Sequence, residues 1–211
     1  MNPLLLGYLS LTAALVIAPG ATTAVVVRNT LAAGWRGGMA AAAGAALANS
    51  THAAAAGLGL AVFVARVPAL LIALKIAGGL YLAWLGIASL KRIMTGAALP
   101  ISSVIISGKD SIAHHHAVRE GLMVNLLNPP IATFYLAVVP TFVPAGASHG
   151  HYVQLAAIHV GMAFTCHAIW ALAMDRLRHL LTSPSARFTL EAVTAAALLL
   201  LAARVLLSAA A

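Results

Sequence analysis

The chain has 211 residues, of which 62% are hydrophobic and only 8% charged, and its mean hydropathy is +0.99. A soluble domain of this length needs many more charged side chains to cover its surface, so the composition excludes an ordinary soluble fold. The formal net charge is +8, but Lys and Arg lie between apolar blocks instead of along one face, which argues against a nucleic-acid-binding protein.

Six apolar runs are long enough to cross a bilayer, which takes about 20 mostly apolar residues in a helix. In chain order the runs are 4–27, 39–64, 69–90, 122–143, 153–173 and 190–207. Membrane-spanning strands would need alternating polarity over about ten residues, which these runs lack. We therefore predict an all-α integral membrane protein whose six transmembrane helices form a single domain over residues 1–211.

Positive charges are divided unequally between the two sides of these helices. The side reached after helices one, three and five holds nine Lys and Arg residues, namely Arg28, Arg36, Lys91, Arg92, Lys109, Arg119, Arg176, Arg178 and Arg187. The opposite side has only Arg66 and Arg204, while Lys75 lies within helix three. Because Lys and Arg are enriched in cytoplasmic loops, we expect the side with nine charges to be cytoplasmic and both termini to lie outside.

Helices one and four are each interrupted by proline, at Ala18-Pro19-Gly20 and at Asn128-Pro129-Pro130. Proline removes a backbone donor and clashes with the preceding turn, so each helix should break or kink there. Three helices per half give the halves opposite orientations, which predicts two inverted repeats. Repeat one spans about 1–92, a cytoplasmic loop about 93–118, and repeat two about 119–211. Paired breaks in corresponding helices indicate a transporter's binding site, although a single proline is also a common kink in membrane helices.

Polar side chains near the breaks form a candidate substrate site. Asn125 and Asn128 have i, i+3 spacing on helix four, as do Asn49 and His52 on helix two, so each pair shares one side of its helix. A buried amide is costly without a partner, which favours an inward-facing position. Asn128 is consistent with substrate binding or with capping of the next half-helix. The predicted substrate-binding residues are Pro19, Gly20, Thr22, Asn49, His52, Asn125, Asn128 and Pro129.

Three side chains are candidates for ion coupling, namely His52, His167 in helix five and Lys75. Histidine titrates near neutral pH, although a histidine that only packs between helices is the favoured interpretation of His52. Lys75 lies near the outer end of helix three, where it can snorkel to the interface or meet a substrate carboxylate. None of the four acidic residues falls at a helix centre, so no carboxylate relay is predicted.

His114, His115 and His116 lie in the predicted cytoplasmic loop. Imidazoles bind divalent transition metals, but three adjacent histidines in a loop do not form a defined coordination sphere. We therefore expect a solvated loop and no metal site, and divalent metal efflux stays as an alternative function.

Several motifs resemble the LysE/RhtB family of amino-acid exporters. They are Pro19-Gly20, the run Val27-Arg28-Asn29-Thr30 followed by Gly34, the stretch 75–86 (KIAGGLYLAWLG) and the stretch 119–129 (REGLMVNLLNP). The resemblance covers nearly the whole chain. It implies a six-helix exporter of the bacterial cytoplasmic membrane that expels basic or small neutral amino acids in exchange for protons. At the first break the family usually has Pro-Gly-Pro-Asn where this chain has Ala21 and Thr22 after Pro19-Gly20, so the amino acid itself is left open.

Together these patterns predict a secondary transporter that exports amino acids or related small metabolites from the cytoplasm by alternating access with proton coupling. Besides metal efflux, the alternative is a membrane protein that does not transport. An enzyme is not predicted, because acids, histidines and nucleophiles do not cluster at one membrane depth. We expect no cofactor, and as partners only the lipid bilayer and a small-molecule substrate; a homodimer is left open.

Overall fold

A computed structural model describes residues 3–18, 20–60, 68–95, 110–144, 146, 148–177 and 184–210. These residues are helical almost throughout, and no strand occurs among them, which confirms the all-α class. The helices are α1 (Pro3–Ile17), α2 (Ala21–Ala55), α3 (Pro68–Met94), α4 (Asp110–Leu126), α5 (Pro129–Thr133), α6 (His149–Leu177) and α7 (Pro184–Ala210). A π-helical turn, Ala56–Leu60, extends α2, and π- and 3₁₀-helical turns, Phe134–Val138 and Val139–Phe142, extend α5.

Helix α2 consists of two helical segments that fold back on each other at Gly34. The backbone is non-helical at Ala33 and at Gly34, whose φ of 71° is accessible to glycine without strain. In a straight helix, residues eight apart are separated by about 12 Å. Yet a Cβ on Gly37 would lie 2.7 Å from the carbonyl oxygen of Asn29. The chain therefore reverses at Gly34, and we refer to residues 21–32 as α2a and residues 35–55 as α2b.

Two helices are long and apolar enough to cross a bilayer by themselves, namely α6 and the Ala192–Ala209 part of α7. Two bent pairs also pass the test of length and composition, Pro3–Ile17 with Ala21–Leu58 and His114–Leu126 with Pro129–Phe142. The reversal at Gly34 lies within the first pair. The second pair is bent by 60° at its break. By length and composition, the described part of the chain thus has two to four candidate spans, and the exact six-helix repeat stays a prediction.

The helix limits differ most from the predicted runs at α4. This helix begins at Asp110 instead of residue 122, so His114, His115 and His116 lie in a helix, and their prediction as loop residues is wrong. The predicted loop 93–118 is likewise helical at both ends, up to Met94 and from Asp110, while 96–109 fall outside the described residues. Hydropathy identifies only the apolar part of a span, whereas backbone hydrogen bonding continues through polar residues beyond it.

Small residues bring the backbones of α2b and α4 into contact. A Cβ on Gly44 would clash with the backbone carbonyl of Val118, and a Cβ on Gly121 with the carbonyl of Ala41. Such close approach requires glycine on both helices. The paired contacts fix how far α4 lies along α2b, and this register places the polar side chains of the two helices side by side.

Candidate functional site

Asn125 is the centre of a buried hydrogen-bond network just before the second break. Its Nδ2 donates to Oδ1 of Asn49 at 2.7 Å and to the carbonyl of Ala45 at 3.0 Å. Its Oδ1 accepts a hydrogen bond from Oγ1 of Thr22 at 2.9 Å, and its backbone carbonyl lies 3.4 Å from Nε2 of His52. We call Thr22, Asn49, His52 and Asn125 the amide cluster. It joins α2a, α2b and α4 at one point, and it unites four of the predicted site residues.

Asn128 lies at the second break itself and has an extended backbone, with φ −91° and ψ 104°. Its carbonyl accepts hydrogen bonds from the amides of Ile131 and Ala132, both at 3.1 Å, and so begins α5. Pro129 is buried at the first position of that helix, where no amide donor is needed. The Asn128 side chain makes no capping hydrogen bond and is half-buried. Among the described residues, this amide is therefore not used to cap α5.

The first break meets the amide cluster through Thr22, two residues after Gly20. Gly20 is extended, with φ −140° and ψ −172°, and its carbonyl accepts the first hydrogen bond of α2a, from Ala24 at 3.0 Å. On the other side of the break, Sγ of Cys166 in α6 approaches the carbonyl of Val16 at 3.5 Å. Pro19 lies outside the described residues.

A second polar cluster, which the sequence analysis did not predict, lies further along α2a and α4. Arg28 forms an ion pair with Glu120. The other carboxylate oxygen of Glu120 accepts a hydrogen bond from Nδ2 of Asn29 at 2.7 Å. The Glu120 side chain is 2% exposed and that of Arg28 11% exposed. We call these three residues the ionic cluster. The sequence contained one signal for this cluster. Arg28 follows predicted helix one and Glu120 precedes predicted helix four, so both were expected on the same side of the membrane.

A third group links the amide cluster to α6. The hydroxyl of Tyr135 lies 2.6 Å from Nδ1 of His159, and both residues are completely buried. The ring of Tyr135 also stacks on His52, with centroids 6.3 Å apart and an interplanar angle of 19°. Phe134 covers the His159 ring at a centroid distance of 4.4 Å. Neither Tyr135 nor His159 was a predicted site residue, since only the tertiary fold brings them to His52.

The three candidates for ion coupling lie in different surroundings. His52 belongs to the amide cluster, and His167 is buried in α6. Lys75 donates from Nζ to the carbonyl of Ser208 near the end of α7, at 2.7 Å. Within the described ranges, neither His167 nor Lys75 is hydrogen-bonded to the amide cluster. The structure therefore brings only His52 to the predicted substrate residues.

The cavity described below is separate from the amide cluster. Over the part of the chain that the structure describes, no three His, Cys, Asp or Glu side chains converge as a metal site would require. A cavity of about 390 Å³ opens between the start of α1 and the start of α6, and Leu4, Phe142, His151 and Leu155 are among its lining residues. No member of the amide cluster lines this cavity.

Comparison with known proteins identifies relatives over most of the chain. The family model described as LysE type translocator matches residues 13–209. YrhP of Bacillus subtilis (strain 168) is 30% identical over 141 residues, which cover 66% of this chain and 67% of YrhP. YahN of Escherichia coli (strain K12) is 29% identical over 120 residues, which cover 57% of this chain and about half of YahN (52%).

A third relative, from Vibrio cholerae serotype O1, is 28% identical over 144 residues, which cover 68% of this chain and 67% of the relative. All three relatives are described as uncharacterized membrane proteins. No solved structure matches the chain.

Proposed function

Because the chain belongs to the LysE type translocator family, we propose that it is a secondary transporter that exports amino acids or related small metabolites from the cytoplasm. It works by alternating access with proton coupling. The family and the membrane-protein relatives support membrane transport. The proposal further places the chain in a bacterial inner membrane as six spans in two inverted repeats, with both termini outside. The loop charges and the fold-back of α2 at Gly34 support this arrangement.

The amide cluster is the single observation that carries the proposal. It connects the segment after the first break with the segment before the second, through Thr22 and Asn125. Broken helices expose backbone groups that a polar solute can satisfy within a membrane. A solute at this point would contact both halves of the protein, as alternating access requires.

The two breaks offer opposite partial charges. Helix α2a begins after Gly20, and the amides of residues 21–23 precede its first intrahelical hydrogen bond, from Ala24 to Gly20. These amides form the positive end of the helix and suit a carboxylate. Helix α5 begins with Pro129 and Pro130, which have no amide hydrogen, so it offers little to an anion.

On the other side of the site, α4 ends at Leu126. The carbonyls of Met123 and Asn125 accept hydrogen bonds from the amides of Leu127 and Asn128, so an ammonium group would be met by the negative end of the helix and by its remaining terminal carbonyls. An amino acid backbone therefore fits with its carboxylate towards α2a and its ammonium towards α4. The half-buried amide of Asn128 lies beside this position and can complete the contacts.

Replacing Asn128 by Ala tests the proposal. We expect Asn128→Ala to lower amino-acid efflux by about tenfold or more, because a hydrogen bond to a charged group contributes roughly 1.5–3 kcal/mol. Membrane abundance should not change, since no described hydrogen bond of the fold uses this side chain. Efflux is measured from cells loaded with dipeptides, which release many amino acids inside.

Gln154→Ala is the matched control, because it removes an amide from an exposed position of α6. Unchanged efflux in Asn128→Ala would remove Asn128 from the site. A flat efflux profile for the wild-type protein, across all amino acids, would reject amino-acid export.

A further inference from the structure

Helices α1 and α6 lie side by side in a register that two contacts define. The hydroxyl of Tyr8 donates to the carbonyl of Leu155 at 2.6 Å, and Sγ of Cys166 approaches the carbonyl of Val16 at 3.5 Å. Residue numbers increase together along both helices, so the two run parallel. Thr12 lies one turn beyond Tyr8, and His159 lies one turn beyond Leu155. Thr12 and His159 are therefore at the same level.

This level of the protein contains buried polar atoms without partners. Among the described residues, Nε2 of His159 has no hydrogen-bond partner, and both His159 and Thr12 are 0% exposed. Oγ1 of Thr12 interacts with the Tyr8 hydroxyl one turn before it but makes no hydrogen bond of good geometry among these residues. The hydroxyl of Tyr152, two turns before His159 on α6, is in the same situation. A buried unsatisfied polar group costs about 1–3 kcal/mol. Two such atoms at one level, Oγ1 of Thr12 and Nε2 of His159, indicate that a further group such as water completes their hydrogen bonds.

The bond between Tyr135 and His159 shows why either tautomer of the histidine is incomplete. If Tyr135 donates to Nδ1, the ring proton is on Nε2 and this buried donor lacks an acceptor. If Nδ1 donates to the Tyr135 oxygen, Nε2 is a bare acceptor and the phenolic proton needs another partner. A water molecule between Nε2 and Oγ1 of Thr12 would satisfy Nε2 in both cases, because water donates and accepts equally well.

His159 also has a connection to the substrate position. Its partner Tyr135 stacks on His52, and His52 faces the backbone carbonyl of Asn125. The titratable groups that interact with the Tyr135–His159 pair are Tyr8 on α1, His52 on α2b, and Tyr152 and His167 on α6. The buried ion pair of Arg28 and Glu120 belongs to α2a and α4.

We propose that His159, held by Tyr135 and hydrated at Thr12, is the proton-binding site of the transport cycle. This inference rests on the proposed function. The cycle starts from the tautomer in which Nδ1–H donates to the Tyr135 oxygen and Nε2 is bare. A hydronium ion transfers one proton to Nε2, so that one O–H bond breaks, the Nε2–H bond forms and the imidazole becomes a cation. The same proton leaves to water when the other side opens. No other bond changes. Because His52 lies between Tyr135 and Asn125, a change at His159 can alter the amide cluster.

The test separates proton-driven transport from exchange. Purified protein in liposomes is given a radiolabelled amino-acid mixture, either with a pH gradient or with the same solutes on both sides and no gradient. We expect His159→Gln to lower gradient-driven transport by about tenfold or more while exchange changes less than about threefold. Tyr135→Phe should lower the gradient-driven part selectively as well, and it retains the imidazole should His159→Gln fail to reach the membrane.

His149→Gln, at the exposed start of the same helix, is the matched control and should behave as the wild type. Equal loss of exchange and gradient-driven transport in both site variants would overturn the inference, and so would loss of the gradient-driven part in His167→Gln instead of His159→Gln. Wild-type exchange without any gradient-driven transport would also overturn it, leaving the proposed export intact. Absence of wild-type exchange would instead reject the proposed function.

Discussion

The amide cluster and the ionic cluster lie on the same two helical segments, α2a and α4, and differ in what surrounds them. Thr22 meets Asn125 at the ends of the segments, next to the breaks. About two turns along α2a, Arg28 and Asn29 meet Glu120 where both helices are continuous. At the first position backbone groups are available for a solute, and at the second they are used within the helices. The comparison distinguishes the amide cluster, where a solute can bind, from the ionic cluster, which only stabilises the packing of the two segments.

The energies of the two clusters support this distinction. A neutral hydrogen bond contributes about 1 kcal/mol net, so the amide cluster can exchange its partners for those of a solute at little cost. A buried ion pair repays its desolvation only while both partners are present, and removing one partner leaves an uncompensated buried charge. The ionic cluster should therefore stay closed while solutes exchange at the amide cluster.

The largest effect should come from breaking the ionic cluster. Glu120→Ala removes the carboxylate that pairs with the buried charge of Arg28, which should destabilise the protein by about 3–5 kcal/mol. Membrane abundance and the thermal unfolding midpoint in detergent should both fall. The matched control is the double variant Glu120→Leu with Arg28→Met, in which apolar side chains replace the whole pair and stability should largely return. A single variant as stable as the wild type would show that the ion pair does not hold the two segments.

Removing Asn125 should have a smaller effect on stability and a larger one on transport. Asn125→Ala leaves Thr22 and Asn49 without their partner, at a cost of roughly 1–3 kcal/mol. Efflux per molecule in the membrane should fall by about tenfold or more, since the variant disrupts the meeting point of the breaks. The comparison between the clusters would fail if Glu120→Leu with Arg28→Met lost as much efflux per molecule as Asn125→Ala.

The breaks and their amides could be predicted from the sequence because the chemistry of proline is local. Pro129 removes a donor in any helix, and Asn125 and Asn128 share a helix side at three-residue spacing whatever the tertiary fold. That Thr22, Asn49, His52 and Asn125 meet depends in addition on the packing of α2a and α2b against α4. The substrate-binding role of all eight residues stays a prediction, and Pro19 lies beyond the described residues.

The ionic cluster and the contact of Tyr135 with His159 could not be predicted in the same way. Both depend on register between helices that are distant in sequence, and that register follows from contacts such as Gly44 against the Val118 carbonyl. Hydropathy also underestimated the length of α4. The first residues of this helix are polar, and a search for apolar runs assigns such residues to a loop. Loop charge predicted which side Arg28 lies on, but it gave no reason to expect a buried partner.

The smallest predicted effect tests whether Thr22 acts through its hydroxyl or through the packing of its side chain. Thr22→Val removes one hydrogen bond to Asn125 and keeps the side-chain volume, so efflux per molecule should fall by about threefold to tenfold, which corresponds to roughly 1 kcal/mol. Thr22→Ser should retain efflux, because it keeps the hydroxyl. Thr23→Val changes the adjacent buried threonine and should have no effect on efflux. If Thr23→Val and Thr22→Val were equally impaired, the effect would come from packing at the start of α2a, and the link between the two breaks would not depend on the amide cluster.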